Sequence, residues 1–275
     1  MINRRLKPYL HDKSLKIDEI SLLLREIEEH GGQHILLYQL GRNEALGDLF
    51  SPGSLEERIE GLPDWPRVGE ASFVNLPEKQ TIVEVRRDKK GSKDSVIVKF
   101  VEKRVHKRRK GVEQDKGDYL VRYSQETYRA VNVVRISADG IAEVRIFSHR
   151  EATSYGGEAI ALLQRTAPLV PVTKWESFPL GKLRNNLLNP KKRNEMKKQF
   201  KLGLIGSLDL FGEERNASHC DRAAVYILPE RANEREIAVV LHGDTNGQPN
   251  EVSVGARISR KEYEHILNSV IKYNE

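Results

Sequence analysis

The sequence has one cysteine, Cys220, in 275 residues. A single thiol excludes an intramolecular disulfide and any cysteine cage for zinc within one chain, and it fits a reducing compartment. No stretch approaches the roughly 18–20 consecutive apolar residues of a membrane-spanning helix. The basic start, MINRRLKPYLHDKS, is not followed by the apolar core of a signal peptide. The expected location is the cytoplasm, nucleoid-associated in a prokaryote or nuclear in a eukaryote, with no membrane partner. Gly-rich phosphate loops are lacking too, as are helix-turn-helix, zinc-finger and RNA-recognition signatures. No cofactor is expected, and no standard base-reading module is written in the chain.

What the chain does have is charge in one place. Hydrophobic residues make up 38% and charged residues 31%, the balance of a folded protein rather than a disordered one. From Val85 to Val112, VRRDKKGSKDSVIVKFVEKRVHKRRKGV carries twelve Lys or Arg against Asp88, Asp94 and Glu102, a local charge of +9. The whole chain is +6, so everything outside this window sums to −3. Basicity concentrated in this way attracts polyanions, and nucleic acid, with one charge per ~1.7 Å of duplex axis, is the commonest of them in a cell.

Turn and periodicity signals divide the chain into segments 1–77, 78–170 and 171–275. In the first, IDEISLLLREIEEH (17–30) sets Ile17, Ile20, Leu24 and Ile27 at helical spacing ahead of Gly31-Gly32. HILLYQL (34–40) reads as a buried strand, and a short helix over 54–60 starts with Ser54 as N-cap. The middle segment is β-rich: TIVEVRR, SVIVKFVEKRV, DYLVRYS, TYRAVNVVRIS and IAEVRIFS read as five strands, with a helix over 151–166 after them. The last segment opens with a helix from Pro190 to about Phe200, capped by Asn189. Strands LGLIGSLDLF, AAVYILP, REIAVVLHGD and EVSVGARI follow. A Ser259…Glu262 capping box then starts a closing helix with an apolar stripe at Tyr263, Ile266, Leu267, Val270 and Ile271. The expected fold is α+β: two mainly antiparallel sheets, each followed by a helix, with an N-terminal helical segment. This repetition admits a duplication or two unrelated layers, and no residue identity between the halves decides between them.

The segment DYLVRYSQETYRAVNVVRIS (118–137) resembles the β-rich middle of the centromere protein N family, which has a similar Tyr…Tyr-Ser-Gln…Tyr pattern. Tyr119, Tyr123, Ser124, Gln125 and Tyr128 carry it here. Upstream, HGGQHILLYQLGRNEALGDLFSPGSLEERI (30–59) is similar to that family's His- and Gln-containing helix end, followed by an Asp-Leu-Phe element and a helix. The resemblance spans roughly residues 30–137 and includes no catalytic fingerprint. It implies a non-enzymatic α+β subunit that grips DNA through a basic groove and pairs with a related subunit through its C-terminal sheet. The family carries a full helical domain ahead of the matched region, where about thirty residues stand here, so nucleosome recognition is not carried over.

In VEKRVHKRRK (101–110), strand alternation would send Lys103, Val105, Lys107 and Arg109 to one face and Arg104, His106, Arg108 and Lys110 to the other. No core accepts either set, so the segment must leave the sheet as an exposed hairpin arm or a flexible loop. Arg86, Arg87, Lys89, Lys90 and Lys93 would lie beside it in a hairpin. Such an arm suits phosphate contact, with Arg able to enter a minor groove, although the same run also reads as a solvated charge run or a localisation signal. Tyr119 and Tyr123 share one face of the next strand, where they could stack on bases or pack within the sheet. A second cluster, Lys191, Lys192, Arg193, Lys197, Lys198 and Lys201 against Glu195, falls on the expected 190–200 helix, with Lys191, Lys198 and Lys201 towards one side. It is either a solvated helix or an extension of the arm's footprint.

Catalytic readings fail on geometry. His30 and His34 are four apart, but Gly31-Gly32 breaks the helix between them, so no helical metal pair forms. Ser218, His219, Cys220 and Asp221 are adjacent and would point apart, as in a turn. Glu195-x-Lys197 has the spacing of some nuclease cores, on a helix instead of the required strand. The sequence therefore reads as a non-catalytic, largely sequence-independent DNA-binding subunit of a larger assembly, with no catalytic or metal-ligating residues. Its nucleic-acid contacts are Arg86, Arg87, Lys89, Lys90, Lys103, Arg104, Lys107, Arg108, Arg109, Lys110, Lys191, Lys192 and Lys198. DNA is placed ahead of RNA, and a protein partner or self-association is expected as well. The alternatives are a protein–protein adaptor that heterodimerises through its C-terminal sheet, and a metal-dependent nuclease using His219, Asp221 and Glu236.

Overall fold

The computed structural model describes residues 24–25, 27–72, 76–90, 93–115, 117–148, 155–202, 222–229, 235–242 and 250–274. The chain divides into two compact units, Leu36–Ser177 and Met1–Ile35 with Phe178–Glu275. The boundary falls inside the first strand, β1 (Gly31–Leu40), whose first five residues belong to one unit and last five to the other. The expected pair of separate antiparallel sheets is corrected by this strand, which is a member of the strand order in both units.

The unit Leu36–Ser177 continues from β1 through α1 (Ser54–Ile59), β2 (Thr81–Lys90), β3 (Lys93–Asp115), β4 (Asp118–Ser137), β5 (Ile141–Phe147), α2 (Tyr155–Arg165) and β6 (Trp175–Ser177). Its strand order is β2-β3-β4-β5-β1, with β6 antiparallel on β1. Alternation along β3 sends Val96, Val98 and Phe100 to the main core, with Val134, Ile136, Val144 and Ile146 of neighbouring strands, Leu55 and Ile59 of α1, and Ala159, Leu162 and Leu163 of α2. The opposite face buries a smaller cluster, Val83, Ile97, Val101, Val131 and Val133. Strands buried on both faces read as unbroken apolar runs, which is why SVIVKF lacks a polar alternation.

Two expected boundaries move. DYLVRYS and TYRAVNVVRIS form one continuous strand, β4, because Gln125 and Glu126 supply no turn chemistry and β3 runs unbroken alongside them. The helix α1 begins at Ser54 itself, and Gly53 occupies the N-cap position with φ +81°, a left-handed conformation natural to glycine. No side chain caps the helix; Asp48 instead receives hydrogen bonds from the Arg58 and Ser54 side chains, which hold its carboxylate below the usual range.

The other unit holds the first half of β1, α3 (Gly181–Leu188), α4 (Pro190–Glu195), β7 (Phe200–Leu202), β8 (Arg222–Ile227), β9 (Ile237–His242), β10 (Glu251–Arg257) and α5 (Arg260–Lys272), in strand order β1-β10-β9-β8-β7. Asn189 Oδ1 accepts from the backbone N–H of Lys191 at 3.0 Å and of Lys192 at 3.3 Å, the expected cap. The expected run to Phe200 is corrected: α4 stops at Glu195, and Phe200 pairs with Ile227 as a strand residue. Lys191, Lys198 and Lys201 therefore share no helix face. Residues 17–23 of the first expected helix and 203–211 of LGLIGSLDLF lie outside the described residues.

At α5 the capping box is complete: Ser259 Oγ accepts from the Glu262 N–H at 3.2 Å, and Glu262 Oε2 accepts from the Ser259 N–H at 2.7 Å. Burial disfavours the charged form of Glu262, but hydrogen bonds from Arg235 and Ser259 outweigh it and leave its pKa below the ordinary carboxylate value. A depressed folded value means this stabilisation is present above that ordinary value and is lost as pH falls through the depressed one. Ser259→Ala is expected to cost about 1 kcal/mol, read as a lower urea midpoint with unchanged m-value.

Candidate nucleic-acid interface

The basic segment is the outgoing strand of a long hairpin. The β2 partner ends at Thr81 opposite Val101, and β5 ends its pairing at Arg145 opposite Val133, while β3 and β4 continue together to Asp115 opposite Asp118. The base is tied down: Lys103 N–H donates to Pro77 O at 3.0 Å, and Arg104 Nη2 reaches Glu158 Oε2 of α2 at 2.8 Å. From Val105 outwards the ribbon is two-stranded among the described residues. At about 3.3 Å per residue, the eleven β3 residues from Val105 to Asp115 extend roughly 35 Å.

Register then sorts the side chains, since directly opposed residues of an antiparallel pair share a face. One face of the arm carries Lys103 opposite Arg129, Val105 opposite Thr127, Lys107 opposite Gln125 and Arg109 opposite Tyr123. Past a bulge between Arg109 and Gly111 it continues with Val112 opposite Val121 and Gln114 opposite Tyr119. That face holds four cations and no acid. The opposite face holds Glu102, Glu113, Asp118 and Glu126 among its residues, and there Arg104 is bound by Glu102 and Glu158, and Arg122 by Glu113 at 2.7 Å. Alternation alone suggested equal basicity on both faces; the register with β4 supplies the acids that make them unequal.

The thirteen expected contacts separate into groups. Lys107, Arg109 and Lys110 are exposed and have no ion-pair partner among the described residues. Tyr119 is 72% and Tyr123 62% exposed, so neither packs into a core. Lys103 is paired with Glu78 at 2.6 Å. Burial disfavours charge on Arg104, but Glu158 and Glu102 outweigh it and raise its pKa, so this side chain is built into the arm's root. Arg86 is half-buried against Glu84 at 2.9 Å, Arg87 binds Glu56 at 3.2 Å, and Lys89 lies 3.9 Å from Asp94. β2 and β3 do pair as a hairpin, but these three stand near its turn, opposite Ile97, Val96 and Asp94, so the pairing does not bring them beside the arm at the other end of β3. Lys90 and Arg108 occupy strand positions opposite Lys93 and Ser124. Arg129 was not foreseen; only the β3–β4 register places it beside Lys103.

In the other unit, Lys191 and Lys198 are exposed, and Lys192 reaches Glu195 at 3.5 Å. The cations that line a groove of about 590 Å³ there are Arg193, Lys197 and Lys201, together with Glu236. Lys201 is bound to Glu236 at 3.0 Å. Of the hydrolase candidates, His219 and Asp221 lie outside the described residues, as do Ser218 and Cys220, and Glu195-x-Lys197 falls at a helix end and turn. His30 and His34 are separated as expected: the His30 ring packs edge-on against Tyr263 at 5.3 Å, whereas His34 meets Glu251 and His242. That last grouping, His34, His242 and Glu251, was missed, because residues separated by 208 and 217 positions give no spacing signal.

Among the described residues no helix is long and apolar enough to cross a membrane. Comparison with protein-family models finds no match, and comparison with curated proteins finds none either.

Proposed function

We infer that the protein is a non-catalytic DNA-binding subunit that lays the acid-free face of the β3–β4 arm on the phosphate backbone with little base preference. The supporting observation is the segregation of charge across the ribbon: Lys103, Lys107, Arg109 and Arg129 share a face with exposed Tyr119 and Tyr123, and every described acid of the arm is on the other side. A two-stranded ribbon fits the major groove, and an Arg suits a narrow minor groove. The tyrosine rings add sequence-tolerant stacking on unpaired bases. A distant kinship with the centromere protein N family belongs to the same proposal, since it would supply a DNA-gripping subunit without catalysis.

A second reading, a protein-binding adaptor, is favoured by the apolar residues near the arm's tip: Val112, Leu120 and Val121 are 42%, 51% and 41% exposed. Affinity purification with and without nuclease separates the two. Nucleic acid that co-elutes and vanishes on nuclease treatment is the expected result, and a stoichiometric protein partner that persists, with no nucleic acid, would favour the adaptor.

A further inference from the structure

Three neighbouring strands of the unit Met1–Ile35 with Phe178–Glu275 carry a second cluster on the face opposite their core. Along β9, Ile237, Val239 and Leu241 are buried, while Ala238, Val240 and His242 alternate with them. Along β10, Val252 and Val254 are buried, and Glu251 and Ser253 point the other way. His242 stands directly opposite Glu251, so both project from one face. On the far side of β10, His34 of β1 joins them, its Nδ1 2.6 Å from Glu251 Oε1 and its ring centroid 5.9 Å from that of His242. His242 Nε2 is 3.9 Å from the same carboxylate oxygen and 2.8 Å from Ser253 Oγ. One ligand atom from each of His34, His242 and Glu251 lies within 4.8 Å of the other two. The three side chains are 16–23% exposed, shielded yet reachable from solvent.

We propose that His34, His242 and Glu251 bind one divalent transition-metal ion of the zinc class. Two imidazole nitrogens and one carboxylate oxygen form a three-ligand zinc set, and the fourth position falls to water or to the Ser253 hydroxyl. With metal–ligand bonds of roughly 2.0–2.2 Å, tetrahedral ligands stand about 3.4 Å apart. The observed edges of 2.6 and 3.9 Å lie on either side of that value and all three atoms lie within 4.8 Å of one another, so the ion would call for only small shifts of the ligand atoms. A mixed nitrogen–oxygen set with no thiolate selects Zn²⁺, Co²⁺ or Ni²⁺ over Mg²⁺ and Ca²⁺, which prefer oxygen ligands alone. The ion would link β1, β10 and β9 and stabilise the folded state by mass action.

Calorimetric titration of the full chain with ZnCl₂, after chelator treatment, is expected to give one ion per chain with a Kd of about 1 µM or below, and a higher Tm with zinc than without. His34→Ala and His242→Ala should each weaken binding at least tenfold, while His106→Ala, on the arm, should leave it unchanged. Glu251→Gln keeps the shape of the carboxylate and removes its charge, so it carries the comparison if either alanine variant fails to fold. Absence of zinc binding, or binding that Glu251→Gln and the two alanine variants leave intact, would overturn the proposal.

Discussion

Replacing both Lys107 and Arg109 by Glu is expected to weaken binding to a random DNA duplex at least tenfold at moderate salt, with circular dichroism and Tm close to wild type. Both side chains are exposed, stand two residues apart on one face of β3, and lack an ion-pair partner among the described residues, so their removal breaks nothing inside the fold. Reversal puts two negative charges on a face whose own strand residues include no acid, and repulsion adds to the lost phosphate contacts. The matched control is Glu113→Lys with Glu126→Lys on the opposite face, two charge reversals that raise the net charge by as much as the first variant lowers it. If that control restored nothing when combined with the first variant, the face itself would be the determinant; if it restored binding fully, general charge would be. The geometry predicts little restoration.

The second large effect concerns stability. Arg145 and Glu143 share a face of β5, each 1% exposed, with Nη2 and Oε2 3.0 Å apart. Arg145→Ala removes the cation and leaves a carboxylate in the interior, a loss of about 3–5 kcal/mol in comparable buried pairs. For a chain of this size that corresponds to a fall in Tm of roughly 10 °C. Desolvation of the two charges offsets much of their attraction, so the double variant Glu143→Leu with Arg145→Met should be more stable than Arg145→Ala alone. Equal stability of Arg145→Ala and wild type in a urea titration would contradict this account of the pair.

How far these sites could be read beforehand follows from what each depends on. The arm was legible because a run such as VHKRRK cannot be buried on either face of a strand, so its exposure is a matter of composition alone. Its sidedness was not, because Glu113, Asp118 and Glu126 become neighbours of the cations only through the β3–β4 register. The capping box at Ser259 and the cap at Asn189 were legible because they are local; the length of α4 was not, since Phe200 leaves the helix to pair with Ile227. Arg86 shows the converse: a cation in a basic run that strand alternation turns towards Glu84. The unit formed from both ends of the chain, and with it the grouping of His34, His242 and Glu251, depends on contacts between residues more than 200 positions apart.

The most direct measurement of the central claim is the affinity of the wild-type chain for a random duplex as a function of salt. Each phosphate neutralised contributes about −0.9 to the slope of log K against log salt. Three to four contacts from the acid-free face of the arm predict a slope near −3, and the variant lacking Lys107 and Arg109 should be shallower by about 1.8. A slope near zero for the wild type, or a slope that the double variant leaves unchanged, would contradict the assignment of the arm as the DNA-binding surface.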